Sequence, residues 1–137
     1  MSKTTSITIE FDIDISPKEL VRIFINRGWR CNNEGDALYI EANDIDDYNW
    51  VMKPHHDFDI ESFLNSHKDD DRVVLWLEND ECGGSFHIYP KELMVILSVD
   101  IPMLEEWNCQ DFSWCLKQLA FLLDYVSVPA VEFSVVY

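Results

Sequence analysis

From Arg72 to Val99 the chain reads RVVLWLENDECGGSFHIYPKELMVILSV, and its hydrophobic positions come in three bursts separated by turn-forming residues. Val73 to Leu77 form an unbroken apolar run bounded by charges. Ser85 to Tyr89 and Leu93 to Val99 follow as two further segments. Glu78 to Gly84, with Gly83-Gly84 free to take positive φ, and Pro90-Lys91 supply the connections. The pattern predicts a three-strand meander over about 72–99 in the middle of a sheet. Segments apolar on both sides of the pleat are expected where both faces are covered, so helices or a second layer should pack on it.

Upstream, Ile7, Ile9, Phe11, Ile13 and Ile15 alternate with Thr8, Glu10, Asp12 and Asp14, the period of a strand with one face in water. Ser16-Pro17-Lys18-Glu19 then reads as a capping box with Pro at the first helical position. It predicts a helix over about 17–27 with Leu20, Val21, Phe24 and Ile25 as its buried stripe and Gly28 at its end. Ala37 to Ala42 reads as a strand entered through the turn Asn32 to Asp36, and Tyr48 to Met52 as a shorter strand pairing with it across Asn43 to Asp47. Pro54 closes that strand. Asp57 or Asp59 caps a helix over about 60–67, which runs into the acidic turn Asp69-Asp70-Asp71.

Beyond the meander, Asp100 to Trp107 shows no firm periodicity. Asn108 or Asp111 caps the longest helix, about 110–125, where Phe112, Cys115, Leu116, Leu119, Leu122 and Leu123 fall at helical spacing and Trp114 and Phe121 widen the apolar face. Pro129 stops it, and Val131, Phe133 and Val135 alternate with Glu132 and Ser134 in a last strand. Strand, helix, two strands, short helix, three strands, long helix and strand make a single α+β domain over 1–137. Its sheet should be mixed or mainly antiparallel with the helices packed on it.

Composition changes this picture in one respect, the sign of the charge. The 137 residues carry 26 Asp and Glu against 10 Lys and Arg, a formal charge of −16. Such a field repels nucleic acid and anionic lipid and draws in cationic partners. No apolar run reaches the roughly 20 residues of a membrane span, and the first residues lack an apolar signal core, which predicts a cytosolic protein. Cys31, Cys82, Cys109 and Cys115 form no CxxC pair, so disulfides are not expected.

No reaction signature stands out. His55-His56-Asp57 with Asp59 and Glu61 is the densest group of ligand-type residues, but neighbouring histidines diverge in an extended chain and no metal-site spacing occurs. Cys82 and His87 are the one suggestive nucleophile and base pair, and their offset of five puts them on opposite faces of a regular strand. There is no glycine-rich phosphate cradle, and Asp44, Asp46 and Asp47 lack the order and closing Glu of a calcium loop. No cofactor is implied. The carboxylates read instead as a surface: a rail of Glu10, Asp12 and Asp14 at about 6.7 Å spacing, and clusters at Asp44/Asp46/Asp47, Asp57/Asp59/Glu61, Asp69/Asp70/Asp71 and Glu78/Asp80/Glu81. These clusters fall in connections, where binding groups concentrate, and Tyr48, Trp50 and Trp107 stand near some of them as aromatic anchors.

In size, acidity, richness in Trp and Tyr and order of elements, the whole chain resembles the bacterial immunity proteins of contact-dependent growth inhibition and related polymorphic-toxin systems. The resemblance implies a protein that binds a cognate toxin domain, a basic nuclease, and covers its active site with carboxylates in place of phosphates. The expected docking residues are Asp69, Asp70, Asp71, Glu78, Asp80 and Glu81, then Asp44, Asp46, Asp47, Tyr48 and Trp50. A nucleic-acid mimic aimed at a host protein, a small enzyme using Cys82 or His87, and a structural subunit are the alternatives.

Overall fold

The computed structural model describes residues 4–97, 103–106 and 109–136. Seven strands form one antiparallel sheet in the order β3-β2-β4-β5-β6-β1-β9. They are β1 (Thr4–Glu10), β2 (Asp36–Ile40), β3 (Trp50–Pro54), β4 (Val73–Glu78), β5 (Gly83–Tyr89), β6 (Glu92–Leu97) and β9 (Ala130–Val136). In a two-strand hairpin, β7 (Met103–Leu104) falls in the segment where no periodicity was expected, while β8 (Cys109–Gln110) takes the expected start of the last helix, which begins at Phe112. Three helices, α1 (Pro17–Asn26), α2 (Ile60–Asn65) and α3 (Phe112–Leu119), complete the α+β domain. No described helix is long and apolar enough to cross a membrane.

The expected meander is the β4-β5-β6 core of this sheet, with Leu75 opposite Phe86 and Phe86 opposite Val95. Ser98 and Val99, expected to extend its third strand, lie outside the described residues. Its first connection is tighter than the sequence implied. Gly83 and Gly84 open β5, and Asn79 makes the turn by accepting the Glu81 and Cys82 amides at 2.8 and 2.7 Å. Gly84 is glycine for a packing reason: a Cβ there would stand 2.2 Å from the Ile96 carbonyl oxygen on β6.

All three helices pack on one face. Ile7, Ile9, Leu75, Phe86, Ile88 and Val95 point into that layer, where α1 contributes Leu20, Val21 and Phe24, α2 Phe63 and Leu64, and α3 Cys115 and Leu119. Phe24 is wholly buried, with Trp29, Phe86 and Phe121 around it at ring separations of 5.1–5.2 Å. Edge-to-face geometry at these separations adds to the burial itself. The opposite face carries no described helix, contrary to the expectation of two covered faces. Large side chains such as Trp76 half-cover it, with Val74 and Ile40 buried beneath.

Several boundaries differ from the periodicity. The alternation of β1 runs on to Ile15, but the strand ends at Glu10, because the Phe11, Asp12 and Ile15 amides bond the carbonyls of Lys91, Ser127 and Pro90. Ile13 is therefore 55% exposed, and the rail of Glu10, Asp12 and Asp14 does not form. The capping box at Ser16 is not made either. Ser16 Oγ is buried without a partner among the described residues, while Glu19 pairs with Arg22. Gly28 does end α1, at φ +93°. The last helix changes pitch: α3 passes at Ala120 into a 3₁₀ turn to Asp124, which rotates Leu123 outward to 64% exposure.

Candidate partner-binding surface

The acidic clusters separate into two regions at opposite ends of β4. At the end where β4 begins, antiparallel pairing of β2 with β4 (Tyr39 opposite Leu75) brings the 41–49 loop beside the 66–72 turn. Their union lines a surface groove of about 790 Å³ with Glu41, Ile45, Lys68, Asp70, Asp71, Arg72 and Tyr89 on its walls. Two of the expected clusters, Asp44 to Trp50 and Asp69 to Asp71, thus meet. Glu78, Asp80 and Glu81 do not join them: six residues of β4 put them roughly 17 Å away.

Arg72 organises the groove. Its guanidinium donates to the carbonyls of Asp44 and Ile45 and lies 4.5 Å from the centroid of the Tyr48 ring. The sequence offered it only as a strand boundary. Its place directly after three aspartates, with Lys68 before them, was the local signal for it. Asp44 completes the loop from within by accepting the amides of Asn49, Asp47 and Tyr48 at 2.7, 3.0 and 3.1 Å. Those donors, Asn49 foremost, together with the nearby Arg72 charge, hold the Asp44 carboxyl below the usual range. Asp44 is therefore a scaffold for the loop, and Asp46 and Asp47 are its exposed acids.

The fold of the loop puts Tyr48 at φ +52°, a strained position for a tyrosine, and aims its ring over the open sheet face. There it stacks on His87 with centroids 6.5 Å apart, and its hydroxyl sits 3.3 Å from that of Tyr89. Trp50 meets the same imidazole edge-on at 6.3 Å. His87 is 7% exposed, its Nε2 has no partner among the described residues, and burial with the nearby Arg72 charge lowers its pKa. Burial likewise pushes the Tyr89 hydroxyl up to about 12. Above this layer Tyr48 and Trp50 stay 41% and 44% exposed.

The neighbouring turn is tied to the helical layer. Lys18 of α1 donates to the His67 carbonyl at 3.0 Å and approaches Asp69 at 3.4 Å. Asp71 accepts the Lys68 amide at 2.8 Å, which leaves Asp70 as the uncommitted acid of the three. His67 is buried, and its Nδ1–H donates to the Phe63 carbonyl at 2.8 Å; desolvation lowers its pKa.

The second region is built on α3. Trp114 Nε1–H donates to the Glu81 carbonyl at 2.8 Å, Asn79 bonds Gln118 at 3.3 Å, and Arg30 pairs with Asp80 at 3.1 Å. Glu78 is half-buried, with its backbone bridged to Arg30. Cys82 and His87 point to different surroundings: Cys82 lies against Cys115, His87 under Tyr48. The remaining clusters are engaged locally. Asp59 caps α2 through the Glu61 and Ser62 amides, Glu61 pairs with Arg22, and His55 Nδ1 lies 3.3 Å from the Cys31 carbonyl. Trp107 lies outside the described residues.

Comparison with protein-family models, with curated proteins and with solved structures finds no match for this chain.

Proposed function

We propose that this chain is an immunity-type inhibitor acting in the cytosol: it binds a basic protein partner, a cognate toxin nuclease domain, and carries out no chemistry of its own. The observation that supports this most is the groove beside Arg72, walled by the acids Glu41, Asp70 and Asp71, with the exposed Tyr48 ring against Arg72 at its side. Trp50 stands next to Tyr48 on the His87 imidazole, and Asp46 and Asp47 are exposed on the adjoining loop. Aromatic anchors ringed by like charge are the composition of a hot spot with an electrostatic rim. A nuclease cleft lined by Lys and Arg is the complementary surface, and a chain at −16 meets it with fast, salt-sensitive association.

Affinity capture from the native host is expected to recover a basic polypeptide whose binding weakens as salt rises. Changing Asp46, Asp47 and Asp70 together to Lys should lower that affinity roughly ten- to hundredfold, mostly through the association rate. Changing Asp80 and Glu81 to Lys should leave it nearly unchanged. Recovery of no basic partner would reject the reading. Equal loss from both variants would leave the partner and reject the groove.

A further inference from the structure

The exposed large hydrophobic side chains of the described residues gather at the two edges of the sheet. Ile45, Tyr48, Trp50 and Met52 belong to β3 and its approach; Leu123, Tyr125, Val131, Phe133 and Val136 belong to β9 and its approach. Ile13 joins the second group, since its neighbour Asp12 bonds the Ser127 carbonyl. The two edges are not protected alike. β3 has five residues, includes Lys53 and ends in Pro54, the devices that keep an edge unpaired. β9 has seven residues, AVEFSVV, with one charge and no proline, and among the described residues it pairs with β1 alone.

We propose that β9 is a self-association edge, on which a second copy of this chain pairs antiparallel about a twofold axis through Phe133. The occupant follows from the strand itself. Residues opposite each other in a sheet share a face, so the axis must pass through a residue. Centred on Glu132 it would oppose two carboxylates. Centred on Phe133 it uses all seven residues and places Val131 against Val135, Phe133 against its own copy, and Glu132 against Ser134. Like charges are kept apart, and apolar groups meet on the face that carries Ile7 and Ile9. On that face Phe112 of α3 touches Phe133 with centroids 4.6 Å apart, so the α3 helices of two copies would close over the exposed ring. A basic partner finds a single carboxylate on this strand in a chain that has 26 acidic residues, which favours a self-complementary occupant over a charge-steered one.

Seven paired residues bury less than the roughly 800 Å² per partner of stable complexes, so the association is reversible. Each copy carries −16, so salt strengthens it, the opposite of the expected response of partner binding.

Sedimentation equilibrium of the full chain across protein and salt concentrations tests this, with circular dichroism confirming the fold of each variant. A monomer–dimer equilibrium that tightens with salt is expected. Val131→Lys should weaken it about tenfold or more, because each substitution acts twice in a symmetric interface. Met52→Lys, on the opposite edge, should leave it unchanged. Ser134→Lys sets a cation against Glu132 of the second copy and should tighten it. A monomer under all conditions, or a dimer sensitive to Met52→Lys and indifferent to Val131→Lys, overturns the proposal; weakening by Ser134→Lys overturns the register.

Discussion

The two acidic ends of β4 are made in opposite ways. The Glu78–Glu81 turn is ordered by its own short-range bonds and by the flank of α3, through Asn79 and Trp114. The groove at the other end is assembled from segments distant in sequence and converges on one guanidinium and one carboxylate, Arg72 and Asp44. The 41–49 loop also has short-range bonds of its own, to Asp44, so what sets it apart is the link Arg72 makes between it and the 66–72 turn, a link that also places the exposed Tyr48 ring.

The widest separation between the ends should come from Arg72→Met, which keeps the length and removes the charge. It takes away donors to two carbonyls and a cation stacked on Tyr48, and should cost about 2–3 kcal/mol in denaturant unfolding. Hydrogen exchange should rise across residues 41–49 while the Asn79–Cys82 turn keeps its protection. Equal loosening at both ends would show that the two are coupled.

Acid should act on the same end. His67 and His87 are held neutral by burial, so their folded pKa values lie below the unfolded value of about 6.5. The unfolded chain therefore binds protons that the fold refuses. Their contribution is complete above that unfolded value and is lost as pH falls through the window beneath it. Unfolding midpoints should drop between neutral and mildly acidic pH, and His87→Gln should remove part of the slope. At lower pH the depressed Asp44 carboxyl titrates in turn: its hold on the loop is present above the usual carboxylate value and lost as pH falls through the folded one.

The smallest effect is expected at the other end. Trp114→Phe keeps the ring and deletes the bond to the Glu81 carbonyl, about 1 kcal/mol, with no change in the 41–49 amides. A larger loss there would show that the Glu78–Glu81 turn leans on α3 more heavily than its own bonds imply.

What the sequence could convey follows the same division. The β4-β5-β6 meander was readable because neighbouring strands leave alternating or continuous apolar runs in one stretch of chain. A cap is a local bond, so each was readable as one of two residues, Asp57 or Asp59 and Asn108 or Asp111, and Asp59 and Asp111 make them. Periodicity failed where a distant partner decided. Phe11 to Ile15 keep the alternation of a strand but bond Lys91, Ser127 and Pro90. Spacing failed locally as well: Ser16 and Glu19 have the interval of a capping box, yet Arg22, one turn on in the same helix, takes the glutamate. Acidity was visible residue by residue, but that Asp44 to Trp50 would meet Asp69 to Asp71, and that Glu78 to Glu81 would not, depends on the β2–β4 register. Local pattern does not record that register.

Trp50 has a practical consequence. Its indole is 44% exposed beside a buried imidazole, whereas Trp29 is only 3% exposed. Water leaving the Trp50 ring shifts its emission to shorter wavelength while buried Trp29 stays constant, so a change lost in Trp50→Phe, against the background of Trp76, Trp107 and Trp114, makes the native protein an optical reporter of occupancy at this surface without an attached dye.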